Sequence, residues 1–485
     1  MIKYKLILLV MGILLIIESI FMCISAAVSL FYRGDDLYAL GLSTIITFVA
    51  GSCLFLLFRK TDKKVGKREA FMIVSLCWII LSIFGSLPFI ISDQITTVAD
   101  AFFETMSGFT TTGASILNDI ESLPKGLLFW RSITQWVGGM GIIVLSMAII
   151  PFVKIGGTQL FSAEVTGTGI ANDKLHPRIR GTAKKLWLLY IGLTILEAIL
   201  LFAGGMTGFD SICHSLTTMA SGGYSTKQDS IAFFSSPYIQ YVIIIFMIIA
   251  GTNFSMIYFS ITGQFRKVTK NTELKFYILI ILVVSFIIGL GLWYFMDLPF
   301  ERSIRDSLFQ VVSILTTTGF MTSDYLTWKP IGLWVILILL MFIGGSTNST
   351  SGGVKVARIH ILFRNIRIEF KRIIHPHAVL PVRYNKSSLP QQIINNTLAF
   401  IVLYILIIAV GTVIMVFAGL DLESAFGAVA TSLGNVGPGI GSVGPSETFA
   451  HINDFGKYFL SFLMLLGRLE LFTVLIIFTK AFWKK

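Results

Sequence analysis

Charge is scarce in this chain. Of its 485 residues only 13% are Asp, Glu, Lys or Arg, while 55% are hydrophobic. Soluble domains carry about one quarter charged residues, so the composition excludes a soluble fold and implies an integral membrane protein. Cysteine is nearly absent: Cys23, Cys53, Cys77 and Cys213 stand singly in apolar stretches, which excludes a disulfide framework or thiolate metal site and leaves them as small apolar fillers. Only six histidines occur, and His375-Pro-His377 is too isolated to hold a metal. No His, Asp or Glu cluster suited to covalent or acid–base chemistry stands out, so the chain does not read as an enzyme and needs no covalently bound cofactor.

What is abundant is long apolar sequence. Runs long enough to cross lipid, about 20 residues each, centre on 5–30, 38–58, 70–91, 128–150, 186–205, 238–262, 275–296, 331–358, 398–419 and 458–482. The first is too long for a cleaved signal peptide and is interrupted by Glu18. Ten spans with both ends inside place 29 of the 38 Lys and Arg in cytoplasmic segments, as the positive-inside rule requires. The outer segments then hold seventeen acidic residues against eight basic ones. The net charge of +12 thus hides an outer face able to concentrate cations, and the chain is not a nucleic-acid binder. Residues 1–68 form a hairpin that reads as a peripheral addition, ending in the basic stretch Arg59–Arg68, which suits orientation or lipid headgroups.

One segment recurs four times between apolar runs. Asp100, Asp210, Asp306 and Ser424 each begin a copy, and each is followed thirteen positions later by glycine: Gly113, Gly223, Gly319 and Gly437. The four starting residues are expected helix N-caps. About ten residues of helix span roughly 15 Å, too short to cross a core about 30 Å thick. The segment therefore enters halfway and returns. Returning backbone survives at that depth only if it is buried by protein or lines a watery path. The residues there are Thr111-Thr112-Gly113, Ala220-Ser221-Gly222-Gly223, Thr317-Thr318-Gly319 and Asn435-Val436-Gly437. Small polar residues before glycine let carbonyls point inward, as required to replace the hydration shell of potassium. The expected fold is all-α and integral to the membrane. Four span–pore helix–span repeats (69–185, 186–270, 271–390 and 391–485) surround one pore with pseudo-fourfold symmetry, beside the hairpin 1–68.

The four loops, TTTGAS, ASGGYS, TTTGFM and NVGPG, resemble those of the superfamily of potassium transporters that contains the TrkH, KtrB and plant HKT proteins. The likeness covers 69–485, and the hairpin and NVGPG loop look like the TrkH branch. The resemblance implies potassium uptake across a bacterial cytoplasmic (inner) membrane with both termini in the cytoplasm. It also implies a homodimer, and assembly with a TrkA-type cytosolic ring that binds NAD(H) or ATP/ADP. Glycine at all four positions matches potassium-selective members; serine in the first loop would have suggested sodium. Only the first and third loops keep TTTG, so the filter need not be fourfold in detail. The fourth glycine can also be framed as Gly434, thirteen after Asp421; the parallel of Ser424-Ala-Phe with Asp100-Ala-Phe favours Gly437.

In the third unit the apolar run 331–343 gives way to a polar, glycine-rich stretch, 344–355. Thirteen helical residues reach about 20 Å, so the span breaks before it has crossed. Gly344, Gly345, Ser346, Thr347, Asn348, Ser349, Gly352 and Gly353 are the expected intramembrane gate; a loop at the inner surface is the plainer alternative. Arg468 lies mid-span, where an arginine costs roughly 2.5–3.5 kcal/mol. It is expected to face the path with that loop, or else to hold a carbonyl or pore-helix end; Glu470 does not share its helix face. The connection 355–390, with Arg364, Arg367, Lys371 and Arg372, is the candidate dock for a cytosolic subunit. The GxGxxG match at 439–444 follows no strand and binds no dinucleotide. His214 reads as a packed polar residue, and Glu18 and Glu197 have no partner legible in sequence. A coupled potassium symporter is the alternative function, since such folds also use broken helices.

Overall fold

The computed structural model describes residues 2–61, 65–141, 179–385 and 387–484. Parts of the basic stretch 59–68, the apolar run 128–150 and the connection 154–185 lie outside the described residues. The described residues are mostly helical. Among the described residues the only sheet is the two-residue pairing of Arg383–Tyr384 with Ser387–Ser388. Among the described residues six helices are long and apolar enough to cross a membrane: Tyr4–Tyr32, Leu37–Phe58, Lys67–Ile91, Lys184–Ala203, Thr272–Phe295 and Gln391–Phe417.

Ten continuous spans do not form. The run 238–262 splits into Pro237–Ala250 and Phe254–Ile261, bent by 107°, and 458–482 splits into Asp454–Arg468 and Leu471–Phe478, bent by 115°. The local causes differ. Asn253 leaves helical geometry and accepts from the Ser255 amide at 2.9 Å, so it caps a new helix. Glu470 takes φ 55°, which no continuing helix allows. In the third unit helix Trp334–Ile343 stops at Gly344, whose φ is 75°. Short apolar segments of this kind read as continuous hydropathy because composition does not record backbone direction.

Four shorter helices carry the repeated segment: Val98–Phe109, Gly208–Met219, Phe300–Leu315 and Leu422–Gly434. They are called here the first to fourth pore helices. The expected N-caps are corrected by three to seven residues. Thr97 and Thr207 cap the first two helices, each accepting the amide of Asp100 or Asp210 at 3.1 Å. Those aspartates reach back to the threonine hydroxyls at 2.7 and 2.8 Å, closing reciprocal boxes. Asp421 accepts the Ser424 amide at 3.1 Å, and the Ser424 donors hold its carboxyl below the usual range. The third helix starts at Phe300 after Pro299. Asp306 is therefore interior, 3.5 Å from Arg302 one turn away.

Packing closes a ring. The helix that follows each pore helix lies against the pore helix of the next repeat. Lys125–Gly139 packs on the second, Pro237–Ala250 on the third, Trp334–Ile343 on the fourth, and Asp454–Arg468 on the first. Buried Lys457 seals the last junction by pairing with Asp100 and donating to the Ala450 carbonyl at 3.0 Å.

The hairpin is less peripheral than expected. Its first helix packs on Lys67–Gly85 and Lys125–Gly139, and the buried Asp36 at its turn accepts the Leu127 amide at 2.7 Å. Its helices touch where Gly12 meets Gly51. A Cβ at Gly51 would sit 2.9 Å from the Gly12 carbonyl oxygen, whereas one at Gly41 meets nothing. Small residues allow such close approach in lipid. Gly51→Leu should therefore cost about 1–3 kcal/mol by overpacking, lowering the melting temperature of the purified protein in detergent. Gly41→Leu should leave it unchanged.

Candidate ion-conducting site

Each pore helix ends the same way. The residue before the glycine donates its amide back to a carbonyl five residues earlier. These bonds run from Thr112 to Ser107 (2.9 Å), Gly222 to Thr217 (3.0 Å), Thr318 to Ser313 (2.8 Å) and Val436 to Thr431 (3.0 Å). In each turn the preceding residue is left-handed: Thr111 at φ 54°, Ser221 at 54°, Thr317 at 56° and Asn435 at 53°. Helices commonly end so, but on glycine or asparagine. A threonine there is strained, at a cost on the order of 1–3 kcal/mol. Gly113, Gly223, Gly319 and Gly437 follow with φ 83°, 75°, 79° and 99°. Gly434 is the last helical residue of the fourth pore helix and Gly437 carries the shared geometry, which fixes the frame of the fourth copy.

The four turns meet. A Cβ on Gly113 would strike the Gly222 carbonyl oxygen, one on Gly223 that of Thr318, and one on Gly319 that of Val436. One on Gly437 would lie 2.8 Å from that of Thr112. Each glycine thus abuts the carbonyl before the next repeat's glycine, and the fourth returns to the first. All four line one cavity, together with Tyr224, Met321 and Pro438. The charged residues of that mouth are Arg131, Lys227 and Glu447. The acidity of the surrounding segments therefore does not extend to the cavity wall itself.

Directly beneath lies the stretch 344–355, folded as a loop closed at its base. Val354, Lys355 and Val356 donate to the carbonyls of Phe342 (3.2 Å), Ile343 (2.7 Å) and Gly345 (3.0 Å). Gly344 and Gly353 (φ 75° and 74°) face each other so closely that a Cβ on Gly353 would lie 2.8 Å from the Gly344 Cα. The tip reaches three of the four turns. The Gly352 amide donates to Thr317 Oγ1 at 2.7 Å, the Thr350 hydroxyl bonds that of Ser221 at 2.7 Å, and Gly352 packs against Asn435. Ser346 donates to the Gly251 carbonyl at 2.9 Å, Asn348 accepts from Phe254 at 3.2 Å, and Ser349 folds back on Ser346 at 2.6 Å. Glu273 anchors the side, accepting the Thr347 amide and hydroxyl at 2.6 and 2.8 Å.

Arg468 completes the assembly. It ends helix Asp454–Arg468 and donates to the Thr350 carbonyl at 2.6 Å, and to those of Gly138 and Gly139 at 2.7 and 3.1 Å. It therefore holds both the loop and a helix end. Glu470 serves a different cation, Arg358, at 2.6 Å. Thr350, Ser351, Glu273 and Arg358 were not singled out in the sequence. Thr350 and Ser351 carried a signal, lying inside the glycine-rich stretch, but Glu273 and Arg358 are legible only in three dimensions.

On the mouth side a buried pair braces the first two turns. Arg131 meets Glu104 at 2.8 Å, donates to the Ser225 carbonyl at 3.2 Å, and lies 3.9 Å over the Tyr224 ring. Glu104 also accepts the Ile116 amide at 2.9 Å. His214 is buried between the Asp210 carbonyl and the Ser225 hydroxyl, 2.8 and 2.9 Å away. Glu18 and Glu197 are buried as well.

Four re-entrant turns closed into one ring, set among lipid-crossing helices, define a membrane transport protein of pore-loop architecture. The chain belongs to the TrkH family of cation transport proteins, whose family model matches residues 39–485. It is 40% identical to the Trk system potassium uptake protein TrkH of Salmonella typhimurium, over 98% of both chains. It is 32% identical to the Trk system potassium uptake protein TrkG of Escherichia coli, over 98% of this chain and 97% of that one. The crystal structure of the potassium transporter TrkH from Vibrio parahaemolyticus superimposes with a TM-score of 0.89 at 37% identity, covering both chains completely.

Breaking the buried pair leaves one charge uncompensated, at about 3–5 kcal/mol. Arg131→Leu should thus depress the melting temperature in detergent far more than Arg302→Leu, whose partner contact is 61% exposed on the arginine side.

Proposed function

We propose that this chain is the conducting subunit of a potassium uptake system in a bacterial cytoplasmic membrane, with the pore mouth outside and both termini inside. The selectivity filter comprises Thr111, Thr112 and Gly113; Ala220, Ser221, Gly222 and Gly223; Thr317, Thr318 and Gly319; and Asn435, Val436 and Gly437. The observation that carries the reading is the cyclic contact of each glycine with the next repeat's carbonyl, because such a ring presents dipoles to one dehydrated ion. The pore helices supply their negative ends to the same point. Loop 344–355 and Arg468 form the gate. A guanidinium and a hydrogen-bonded loop tip beneath the ring obstruct a cation both sterically and electrostatically. Channel-like flow requires that the bonds from Arg468 to Thr350 and from Gly352 to Thr317 be released.

Release is assigned to a cytosolic nucleotide-binding ring, with the chain itself a homodimer. Helix Val356–Ile374 supports this division. It leaves the closed base of the loop and exposes Phe363, Phe370, Ile373 and Ile374 beside Arg364, Arg367, Lys371 and Arg372. An apolar and basic face joined to the gate can transmit a pull from a partner.

Purified protein in liposomes should take up rubidium or potassium in preference to sodium, with no uptake dependent on a proton or sodium gradient. Gradient-dependent uptake would assign the protein to the coupled symporters instead. Gly223→Ala, which adds a Cβ against the Thr318 carbonyl at a positive φ, should reduce that uptake by about tenfold or more. Arg468→Ala should raise it. Losing one charged hydrogen bond to the loop removes about 2 kcal/mol from the closed state, or about thirty-fold in its population. Unchanged flux at equal protein would remove Arg468 from the gate.

A further inference from the structure

The ring is fourfold in its backbone and not in what supports it. In the first and third turns the residue before the glycine is threonine, and its hydroxyl bonds the last threonine of the pore-helix end. These contacts, Thr112 to Thr110 and Thr318 to Thr316, are both 2.8 Å. In the fourth, Asn435 Nδ2 donates to Thr112 Oγ1 and to the Met464 carbonyl, each at 2.9 Å. The second turn has neither device: Ala220 and Gly222 occupy the two threonine positions.

Its support comes from another repeat. Gln135, fully buried on helix Lys125–Gly139, donates from Nε2 to the Gly222 carbonyl at 2.7 Å and accepts from the Tyr224 amide at Oε1, 3.0 Å. These partners fix the amide's orientation, since reversing it would set donor against donor. The side chain also fills the space that a threonine takes elsewhere. A Cβ on Gly222 would run into the Gln135 amide carbon, with Nε2 at 2.8 Å. Among the described residues no protein donor reaches the equivalent carbonyls of Thr112, Thr318 and Val436. One corner of the ring is thus clamped on both sides of its glycine, and part of its carbonyl's capacity is already committed.

We infer that Gln135 is a positioning residue for ion discrimination, setting the angle and field of the Gly222 carbonyl from outside the filter. The inference rests on the pore reading above. Discrimination between cations depends on the number, field strength and freedom of the ring carbonyls, and Gln135 acts on the last two at one corner. It also accounts for the departure of the second loop from TTTG: the glycine at 222 is the partner of the glutamine at 135.

The test is competitive rubidium and sodium uptake into proteoliposomes, read as a ratio within one preparation so that protein amount cancels. Gln135→Met keeps the volume and removes both hydrogen bonds; the rubidium-to-sodium ratio should fall by about tenfold. Gly222→Thr alone should abolish uptake. Gln135→Ala with Gly222→Thr should recover uptake, because the threonine then takes the space the glutamine leaves. Gln135→Ala alone should keep uptake and lose the ratio, which a merely structural glutamine does not predict. A Met variant within twofold of the wild-type ratio overturns the inference while leaving the pore reading intact, as does a double variant no better than Gly222→Thr. If Gln135→Met is not monodisperse, Gln135→Ala alone decides by the same twofold criterion on the ratio. Wild-type protein without preference for rubidium would overturn the pore reading, and this inference with it.

Discussion

Backbone at membrane depth must satisfy its own polar groups, and the central ring follows from that demand. Four helices stop near the middle of the structure, where water cannot pair their final carbonyls. A shared turn bonds some of these carbonyls internally, through the amides of Thr112, Gly222, Thr318 and Val436. The carbonyls of those same residues are then directed toward the neighbouring glycine. Strain at Thr111 and Thr317 and the missing Cβ at four glycines are the conditions for that direction. A substitution at any of these positions disturbs a neighbouring repeat as well as its own.

The loop beneath the ring obeys the same demand with different means. Its base is bonded to itself, while its tip is bonded to residues of two of the four turns, to Glu273 and to Arg468, and packs on a third turn at Asn435. Nearly every contact is a single hydrogen bond rather than apolar packing. A structure held this way can exchange partners at modest cost each, as a moving part requires. Arg468 is the exception. Its three carbonyl partners belong to two different repeats, so it can report displacement of one to the other.

Much of this was legible in sequence because it depends on spacing. The thirteen-residue interval to glycine recurs four times, and a helix of that length has one way to sit in a bilayer. The glycine-rich interruption before Lys355 was legible for a related reason: polar sequence at that depth needs a purpose. The breaks at 251–253 and 469–470 were not legible, since hydropathy averages over direction and both lie inside strongly apolar runs. Cap positions were missed because Asp100 and Asp210 bond the cap instead of being it. The Glu104–Arg131 pair, Glu273 and Gln135 were hidden because their partners lie far away in sequence, and nothing local marks a buried polar residue as one half of a contact.

The order of packing around the ring has a bearing on biogenesis. The first repeat is sealed by the fourth, through Lys457 with Asp100 and through Gly437 with Thr112. A nascent chain that has delivered three repeats into the bilayer therefore holds an open-sided crescent, with no conduit to leak ions. The ring closes only when helix Asp454–Arg468 docks, and the same helix brings Arg468 to the loop. On the proposed reading, the pathway and its stopper arrive together.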